Sequence, residues 1–356
     1  MVLKIDQTII NRTVSPIEIV QESVADTKHL EILKMLKKAK GRYVSGESIS
    51  RKTDVSRAAI WKHVSALKKY GYAIASRKGQ GYKLVKPSNK LLPWEIGNGL
   101  KTQLVGREIH HFSVIDSTQD LAIKLAEENV PEGSVVIAEK QKRGRARVGR
   151  KWSAPEGGIW LSVILRPKIP TAESTILPLA VSLAVCNAMR SVCKVNAKLK
   201  WPNDVIINGK KVSGILAEMS CEADRINYVV IGIGINANVN IRKIESTIRG
   251  TAGYYGATSL MKEVGKEVDR IALVRKILAE LEDVYLELEK EGSDMIIRAW
   301  KNLSATLGTN VTVSLNEMCF EGKAVDIDYD GALLVKLPNG NIKRIVAGDV
   351  YVRVIK

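Results

Sequence analysis

Residues 200–216 read KWPNDVIINGKKVSGIL. Two apolar runs in this stretch are separated by Asn208-Gly209, and both residue types tolerate the positive φ angles of a tight hairpin turn. The pattern predicts a β-hairpin, with one strand at residues 205–207 and a return strand that begins near Lys211. A lysine at the start of a strand is ordinarily an exposed edge charge, so the interest of Lys211 depends on which residues surround it.

Residues 116–120 read DSTQD and lie upstream of this hairpin, between a predicted strand at residues 111–115 and a predicted helix at residues 121–128. Serine and threonine are common at helix starts because their hydroxyl groups accept hydrogen bonds from otherwise unpaired backbone N–H groups. On its own, the segment therefore predicts a helix cap.

Residues 141–152 read QKRGRARVGRKW. A segment so rich in lysine and arginine cannot pack in a core. Glycine lets backbone N–H groups approach an anion closely, and guanidinium groups hold phosphate oxygens with paired hydrogen bonds. The segment predicts a loop that binds a phosphate-bearing ligand, although it lacks the spacing of a Walker A loop. An arginine-rich contact with nucleic acid fits the same composition, which leaves both interpretations open.

The N-terminal part of the chain is strongly basic. Residues 26–86 contain 16 Lys or Arg and 4 Asp or Glu, which is a net +12 out of the +17 of the whole chain. So much positive charge in one short segment suggests a polyanionic partner.

Local patterns in this basic region predict a winged helix-turn-helix. A first helix follows from leucines at helical spacing, and Ser45 opens a short second helix. Ser56 is a good N-cap for a third helix, which Gly71 ends. Strands at residues 72–75 and 82–85 flank a basic glycine turn. The third helix of this motif fits the DNA major groove, so DNA binding is favoured over protein binding. The candidate DNA contacts, within a helix-turn-helix at about residues 46–70, are Ser56, Arg57, Lys62 and Lys68.

The C-terminal part of the chain changes from helix to strand. Apolar spacing predicts a long amphipathic helix at residues 268–289. After Trp300, short alternating segments at residues 311–315, 319–325, 332–337 and 342–346 predict a small β-barrel. The domain boundaries expected from these patterns are 1–25 (an unassigned leader), 26–86 (winged helix), 87–304 (a central domain) and 305–356 (barrel).

Composition argues against several other classes of protein. Hydrophobic residues make up 45% and charged residues 26% of the chain, as in globular proteins. We expect no apolar run near the roughly 18 residues of a membrane span and no signal peptide, hence a cytoplasmic protein without a membrane partner. None of the 4 cysteines forms a C-x-x-C pair, so no structural metal site is predicted. Gly232-Ile233-Gly234 lacks the spacing of a dinucleotide-binding motif.

Together, the segments in the middle of the chain resemble the biotin–protein ligases. That family carries a G-R-G-R-x-G-R loop, a K-W-P-N-D motif and a lysine followed closely by G-I-L. Here they stand as GRARVGR at residues 144–150, KWPND at residues 200–204, and Lys211 with GIL at residues 214–216. Residues 55–64 resemble the recognition region of the biotin-operon repressors, which indicates the bifunctional ligase–repressor branch. The resemblance runs from about residue 26 to the C-terminus.

The resemblance implies an α+β fold with three parts: an N-terminal winged helix-turn-helix, a central class II synthetase-like mixed α/β catalytic domain, and a C-terminal SH3-like β-barrel. It also implies that biotin and ATP, with Mg²⁺, form biotinyl-5′-AMP, from which biotin passes to a lysine of a biotin carboxyl carrier domain. A homodimer formed on biotinyl-AMP binding would bind a DNA operator.

The resemblance assigns roles to individual residues. Lys211 would bridge the biotin carboxylate and the α-phosphate, and Arg147 would close the loop, so these two are the candidate catalytic residues. Asn203 and Asp204 would support them; Asp204 would accept a proton from the incoming lysine or, equally, only hydrogen-bond within its turn. Trp152 and Trp160 are interpreted as core or pocket-wall residues, with core favoured. The residues expected to bind biotin or the adenylate are Ser117, Thr118, Gln119, Gln141, Arg145, Ala146, Arg147 and Lys211.

One departure and two alternatives accompany this assignment. Ala146 replaces the second glycine of the loop motif, and alanine at a positive-φ position would cost about 1 kcal/mol. Either this position is not left-handed here, or the loop orders less readily.

A lipoate or octanoyl ligase shares the general fold but carries an R-R-x-S-G-G-G loop. The other alternative is a ligand-sensing transcription factor with a degenerate ligase domain, against which Arg147 and Lys211 argue.

Overall fold

A computed structural model describes residues 27–222, 224–242, 244, 256–315, 318–346 and 349–352, so the predicted leader at residues 1–25 lies outside the described residues. The α-helices are α1 Thr27–Lys38, α2 Gly46–Thr53, α3 Arg57–Lys69, α4 Pro93–Gly97, α5 Thr118–Glu127, α6 Ile176–Cys193, α7 Leu260–Val264, α8 Arg270–Glu291 and α9 Asp294–Leu303. The strands are β1 Ala73–Arg77, β2 Gly81–Lys86, β3 Ile109–Phe112, β4 Val135–Ala138, β5 Gln141–Arg145, β6 Lys151–Ala154, β7 Ile159–Leu165, β8 Lys198–Lys200, β9 Asp204–Ile207, β10 Lys210–Glu222, β11 Arg225–Ile235, β12 Asn310–Leu315, β13 Met318–Ile327, β14 Leu333–Lys336, β15 Ile342–Ile345 and β16 Asp349–Val352.

The N-terminal winged helix is built from α1–α3 and the β1–β2 hairpin. Ser45 Oγ accepts a hydrogen bond from Ser48 N–H at 3.1 Å, and Ser56 caps α3 in the same way through Ala59 N–H. The hairpin packs closely on the segment between α1 and α2: a Cβ at Gly81 would lie 2.0 Å from the Val44 carbonyl oxygen. Apolar residues of all three helices form one buried cluster.

Helix α4 joins the winged helix to the central domain through a buried carboxylate. Glu95 is 6% exposed and lies 2.6 Å from Lys37 Nζ of α1. The Tyr72 hydroxyl group donates to the same carboxylate. On the other side, the Arg275 guanidinium of α8 donates to the backbone carbonyl groups of Glu95 and Ile96. Charge-assisted hydrogen bonds therefore hold α4 from both domains.

The central domain is organised by a seven-stranded sheet of order β3-β4-β7-β11-β10-β9-β8. Only β3 and β4 pair in parallel within it. One face packs on α6, behind which α8 lies, and contributes large apolar residues to the main core. The other face carries α5. A mixed sheet between helices agrees with the predicted α+β class.

Helix α6 corrects one expectation from the sequence. By length and composition it could cross a membrane, with 18 residues and a mean hydropathy of 1.6, so the expectation that no apolar run approaches that length is wrong. In the fold, 67% of this helix is buried, and it packs between α8 and the sheet. A helix that is apolar on all sides is typical of the core of a large domain.

The C-terminal domain is a five-stranded antiparallel sheet of order β15-β14-β13-β12-β16. Strands were predicted for β12 to β15, and β16 was not predicted. This domain contacts the KWPND segment: Trp201 N–H donates to Thr306 Oγ1 at 3.0 Å, and Trp201 Nε1 donates to the Gly331 carbonyl at 2.9 Å. The C-terminal domain thereby fixes the segment that leads into β9.

Candidate functional site

Small residues line the face of the sheet that carries α5. Paired residues of antiparallel strands point to the same side of a sheet, and the β10–β11 register pairs Gly214 with Gly234 and Leu216 with Gly232. Strand β7 adds Ser162 opposite Gly232. The glycines leave a slot above these strands, into which Gln119, Trp152 and Lys211 project. Gly232 and Gly234, whose spacing excludes a dinucleotide motif, thus form part of the floor of a site.

The start of α5 projects onto this floor. Ser117 caps the helix, because its Oγ accepts a hydrogen bond from Asp120 N–H at 3.3 Å, as its position in the sequence predicted. A Cβ at Gly232 would lie 2.6 Å from Gln119 Oε1, so the absence of a side chain there lets Gln119 lie against the strand. Ser162 Oγ donates to the same oxygen at 3.0 Å.

A glutamine from the basic segment completes this polar wall. Gln141 Oε1 accepts hydrogen bonds from Thr118 N–H at 2.8 Å and from Thr118 Oγ1 at 3.1 Å. Ser117, Thr118 and Gln119 are each at most 3% exposed. Hydrogen bonding between the two segments offsets the cost of burying these groups. The candidates 117–119 and 141 therefore form one cluster.

A β-bulge places Lys211 on the same side of the sheet as Gly214. In a regular strand, residues three positions apart point to opposite faces, but the β9–β10 register shifts between Lys211 and Ser213. Lys211 Nζ consequently lies 2.5 Å from Asp204 Oδ1. A Cβ at Gly214 would be 3.0 Å from Lys211 Cε. The bulge and the glycine together let the lysine lie over the floor of the slot.

Trp152 covers the glycine pair next to Lys211. A Cβ at Gly234 would lie 2.9 Å from the indole, and one at Gly214 would lie 3.1 Å from it. Lys211 Nζ is 5.3 Å from the ring centroid, which is within reach of a cation–π interaction. Trp152 is therefore a wall of the site, whereas Trp160 is fully buried. Core was the favoured interpretation for both tryptophans: Trp160 is a core residue, and Trp152 packs against the same buried cluster while its ring also faces Lys211.

Two buried polar atoms near this wall have no hydrogen-bond partner among the described residues: Trp152 Nε1 and Asn236 Oδ1. Asn236 directly follows the end of β11, two positions after Gly234, and its amide nitrogen donates to the Thr258 carbonyl at 3.1 Å. Buried polar groups are usually satisfied, so a donor and an acceptor are available to a ligand. The sequence analysis did not identify either atom as a ligand contact, because a tryptophan or an asparagine at these positions carries no recognisable binding motif.

Residues 142–150, which we call the strap, form the tip region of the β5–β6 hairpin, where a loop was predicted. A single 3-10 turn, Arg147–Gly149, lies between the strands. Ala146 has φ −137°, so this position is extended and the replacement of glycine by alanine costs no backbone strain. The positive φ belongs to Gly149 instead, at 66°. The sequence offered two explanations for Ala146, and the structure agrees with the one in which this position is not left-handed.

The strap is fixed to the rest of the domain through arginines. Arg147 Nη1 donates to Asn203 Oδ1 at 3.1 Å, and Asn203 Nδ2 in turn donates to the Ile215 carbonyl at 2.5 Å. Arg145 Nη1 donates to Asp120 Oδ1 at 2.7 Å. The KWPND segment thus contacts the strap through Asn203 and Lys211 through Asp204.

The recognition helix α3 presents a basic, aromatic outer face. Arg57, Lys62 and Lys68 are exposed, whereas the hydroxyl group of Ser56 is engaged in capping α3. Trp61 is 63% exposed, although it is among the largest apolar side chains of the chain. It was not among the predicted contacts. An exposed indole flanked by cations is typical of a binding surface.

Comparison with known sequences places these features in families. Residues 111–236 match the biotin/lipoate A/B protein ligase family, residues 28–83 match an HTH domain, and residues 306–353 match the biotin protein ligase C-terminal domain. The chain is 38% identical to the bifunctional ligase/repressor BirA of Bacillus spizizenii over 91% of this chain and 98% of the relative. It is 30% identical to the protein of the same name from Escherichia coli over 92% of this chain and 98% of the relative.

A solved structure agrees with the sequence comparisons. The fold is similar to that of the biotin protein ligase from Aquifex aeolicus, solved in complex with biotin and ATP, with a TM-score of 0.59 and 32% sequence identity. The similarity covers 69% of this chain and 99% of the other.

Proposed function

This chain belongs to the family of bifunctional biotin ligases and repressors, and from that premise we propose that it activates biotin with ATP and transfers it to a lysine of a biotin carboxyl carrier domain. The winged helix adds a second activity, repression of transcription at a DNA operator. The observation that carries the ligase assignment is the meeting of Lys211, Asp204, Trp152 and the strap above a floor of glycines.

The reaction needs two steps because a carboxylate has no good leaving group. First, a biotin carboxylate oxygen attacks the α-phosphorus of ATP, supplied as its Mg²⁺ complex, and pyrophosphate leaves. Then the ε-amino group of the acceptor lysine attacks the acyl carbon, and AMP leaves with the electron pair of the C–O bond. The enzyme supplies position and electrostatic stabilisation rather than a nucleophile.

We assign the charge stabilisation to Lys211. Its side chain is 28% exposed, and the ammonium group lies against Trp152 and the Asp204 carboxylate. A cation between the biotin carboxylate and the α-phosphate offsets their mutual repulsion, and its effect is larger where water is partly excluded. Asp204 holds Lys211 in place and is positioned to accept the proton that the incoming amine loses.

We assign biotin binding to the polar cluster of Ser117, Thr118, Gln119 and Gln141, whose donors and acceptors suit the ureido head and the chain of biotin. The strap closes over the adenylate, with Ala146 and Arg147 facing it. Trp152 Nε1 and Asn236 Oδ1 offer a donor and an acceptor to the nucleotide. Closure protects the mixed anhydride from water.

We further propose that the adenylate-loaded protein forms a homodimer. Two winged helices related by a two-fold axis match a two-fold operator, and a binding site linked to dimerisation makes a sensor with a coupling free energy of about 1–3 kcal/mol. Sedimentation with and without biotin and ATP measures this directly: a shift from monomer to dimer only with both ligands is expected, and an unchanged distribution contradicts it.

Incubation with ATP, radiolabelled biotin and a carboxylase biotin domain tests the ligase activity. We expect label on one lysine of the acceptor, dependent on ATP. Labelling with lipoate or octanoate in place of biotin would assign the protein to the related ligases. Biotin binding without any adenylate would instead indicate a degenerate enzyme that only senses its ligand.

A further inference from the structure

Apart from the β5–β6 pairing of Gly144 and Arg145, the strap is attached by its backbone near its start. Lys142 N–H donates to the Ile115 carbonyl at 2.9 Å, and Arg143 N–H donates to the Asp116 carbonyl at 2.8 Å. Further along, Ala146 N–H bonds within the strap, to the Arg150 carbonyl at 3.0 Å. The attachments of the tip to the surrounding domain that the structure describes are therefore made by arginine side chains.

Arg145 spans the slot between α5 and the sheet. Its Nη1 donates to Asp120 Oδ1 at 2.7 Å, and its Nη2 is paired with Glu218. Asp120 lies in the first turn of α5, directly after the Gln119 of the polar wall. Glu218 lies on β10 and shares the side of the sheet that Gly214 and Leu216 face. One guanidinium thus links the two walls of the site.

We propose that Asp120 and Glu218 are positioning residues that hold the strap closed through Arg145, and that the Arg145 guanidinium acts as a clasp rather than as a contact to phosphate. The inference rests on the proposed ligase function and deepens it. Both terminal nitrogens of Arg145 are already engaged with carboxylates, so a phosphate would have to compete with two charges that are fixed by the fold.

The exposure of the clasp suits a contact that must open. The side chains of Arg145, Asp120 and Glu218 are 38%, 52% and 30% exposed. Ion pairs with this exposure are individually weak because water and salt screen them. Two such pairs on one guanidinium favour closure without preventing substrates from entering. Loss of the clasp changes how long the adenylate is retained, while leaving the fold intact.

The test measures retention of biotinyl-adenylate by Asp120→Asn, Glu218→Gln and the double variant. Each protein is loaded with ATP and radiolabelled biotin, separated from excess ligand, and followed for release of the adenylate. We expect the double variant to release it about tenfold faster than wild type, with smaller effects in the single variants. The rate of pyrophosphate release should change by less than the release rate of the adenylate. Glu127→Gln is the matched control, since Glu127 lies on the same helix and faces Tyr228 instead.

A second readout separates a clasp from a general structural role. Trypsin should cut the strap faster in the double variant than in wild type, while the melting temperature stays the same. Equal retention and equal cleavage in all proteins would overturn the clasp. If the double variant does not fold, adenylate retention and trypsin cleavage are compared between each single variant and wild type. Failure of wild type to form any adenylate would instead refute the proposed function, so the two failures are distinguishable.

Discussion

A buried ion pair next to the site provides a quantitative test of how the fold is held together. Glu139 directly follows β4 and precedes Gln141 by two residues; it is 6% exposed, as is Arg270 of α8. Glu139 Oε2 lies 2.9 Å from Arg270 Nη1, and Glu139 Oε1 accepts a hydrogen bond from Leu91 N–H at 2.6 Å. Arg270 also donates to the Asn89 carbonyl at 2.7 Å. This pair ties the linker behind the winged helix to the strand that leads into the strap.

The substitution Glu139→Gln keeps the shape of the side chain and removes its charge, which leaves the Arg270 guanidinium buried without a counter-ion. Breaking a buried ion pair in this way costs about 3–5 kcal/mol. Urea unfolding monitored by tryptophan fluorescence measures the loss as a lower midpoint at constant slope. Glu139→Gln combined with Arg270→Met should recover part of the stability, because the unpaired charge is then absent. Glu128→Gln, at an exposed position, should stay within about 0.5 kcal/mol of wild type.

The same pair predicts the sign of a pH effect. Burial alone would raise the pKa of Glu139, but the hydrogen bond to His111, the charge of Arg270 and the Leu91 N–H together hold the pKa below its usual range. A carboxylate with a lowered folded-state pKa stabilises the fold at neutral pH, and that contribution is lost as the pH falls below the ordinary glutamate value of about 4.3. A loss of less than about 1 kcal/mol in Glu139→Gln at pH 7, with no change in acid sensitivity, would refute the reasoning.

Three further substitutions address the site and the DNA-binding surface. Gly232→Ala places a Cβ 2.6 Å from Gln119 Oε1 and should weaken biotin binding in calorimetry by about tenfold or more, whereas Gly97→Ala, where a Cβ meets open space, should not. Arg147→Gly removes the contact to Asn203 and should leak adenylate, seen as biotin on bystander proteins; labelling restricted to the acceptor would contradict this. Trp61→Ala should reduce affinity for duplexes selected by the wild-type protein from a random library, at unchanged adenylate formation, and equal affinity would exclude Trp61 from the interface.

The sequence predicted local structure well where a single residue has a defined local role. Ser56 and Ser117 cap their helices as expected, and Asn208 and Gly209 both take the positive φ angles of the predicted turn. These signals depend on interactions within a few residues of the chain. Composition was less informative for α6, because a helix buried in a protein core and a helix that spans a membrane have similarly apolar sequences.

The site itself depends on geometry that a one-dimensional pattern does not contain. The bulge after Lys211 reverses the side to which the lysine points, and strand periodicity alone would have placed Lys211 and Gly214 on opposite faces. The position of Trp152 over a glycine pair depends on the register between β10 and β11. The resemblance identified Lys211 and the strap as candidates, and the fold supplies the physical reason for their proximity.

The central claim is that Lys211 stabilises the charge that develops when biotin joins AMP. The most direct measurement is mass-spectrometric quantification of biotinyl-adenylate after wild type, Lys211→Ala and Lys210→Ala are each mixed with biotin and MgATP. Lys210 is exposed and adjacent on the same strand, so its variant controls for loss of a nearby charge. We expect wild type and Lys210→Ala to form the adenylate at similar rates, and Lys211→Ala to form it about a thousandfold more slowly. Near-normal formation by a folded Lys211→Ala protein would contradict the account.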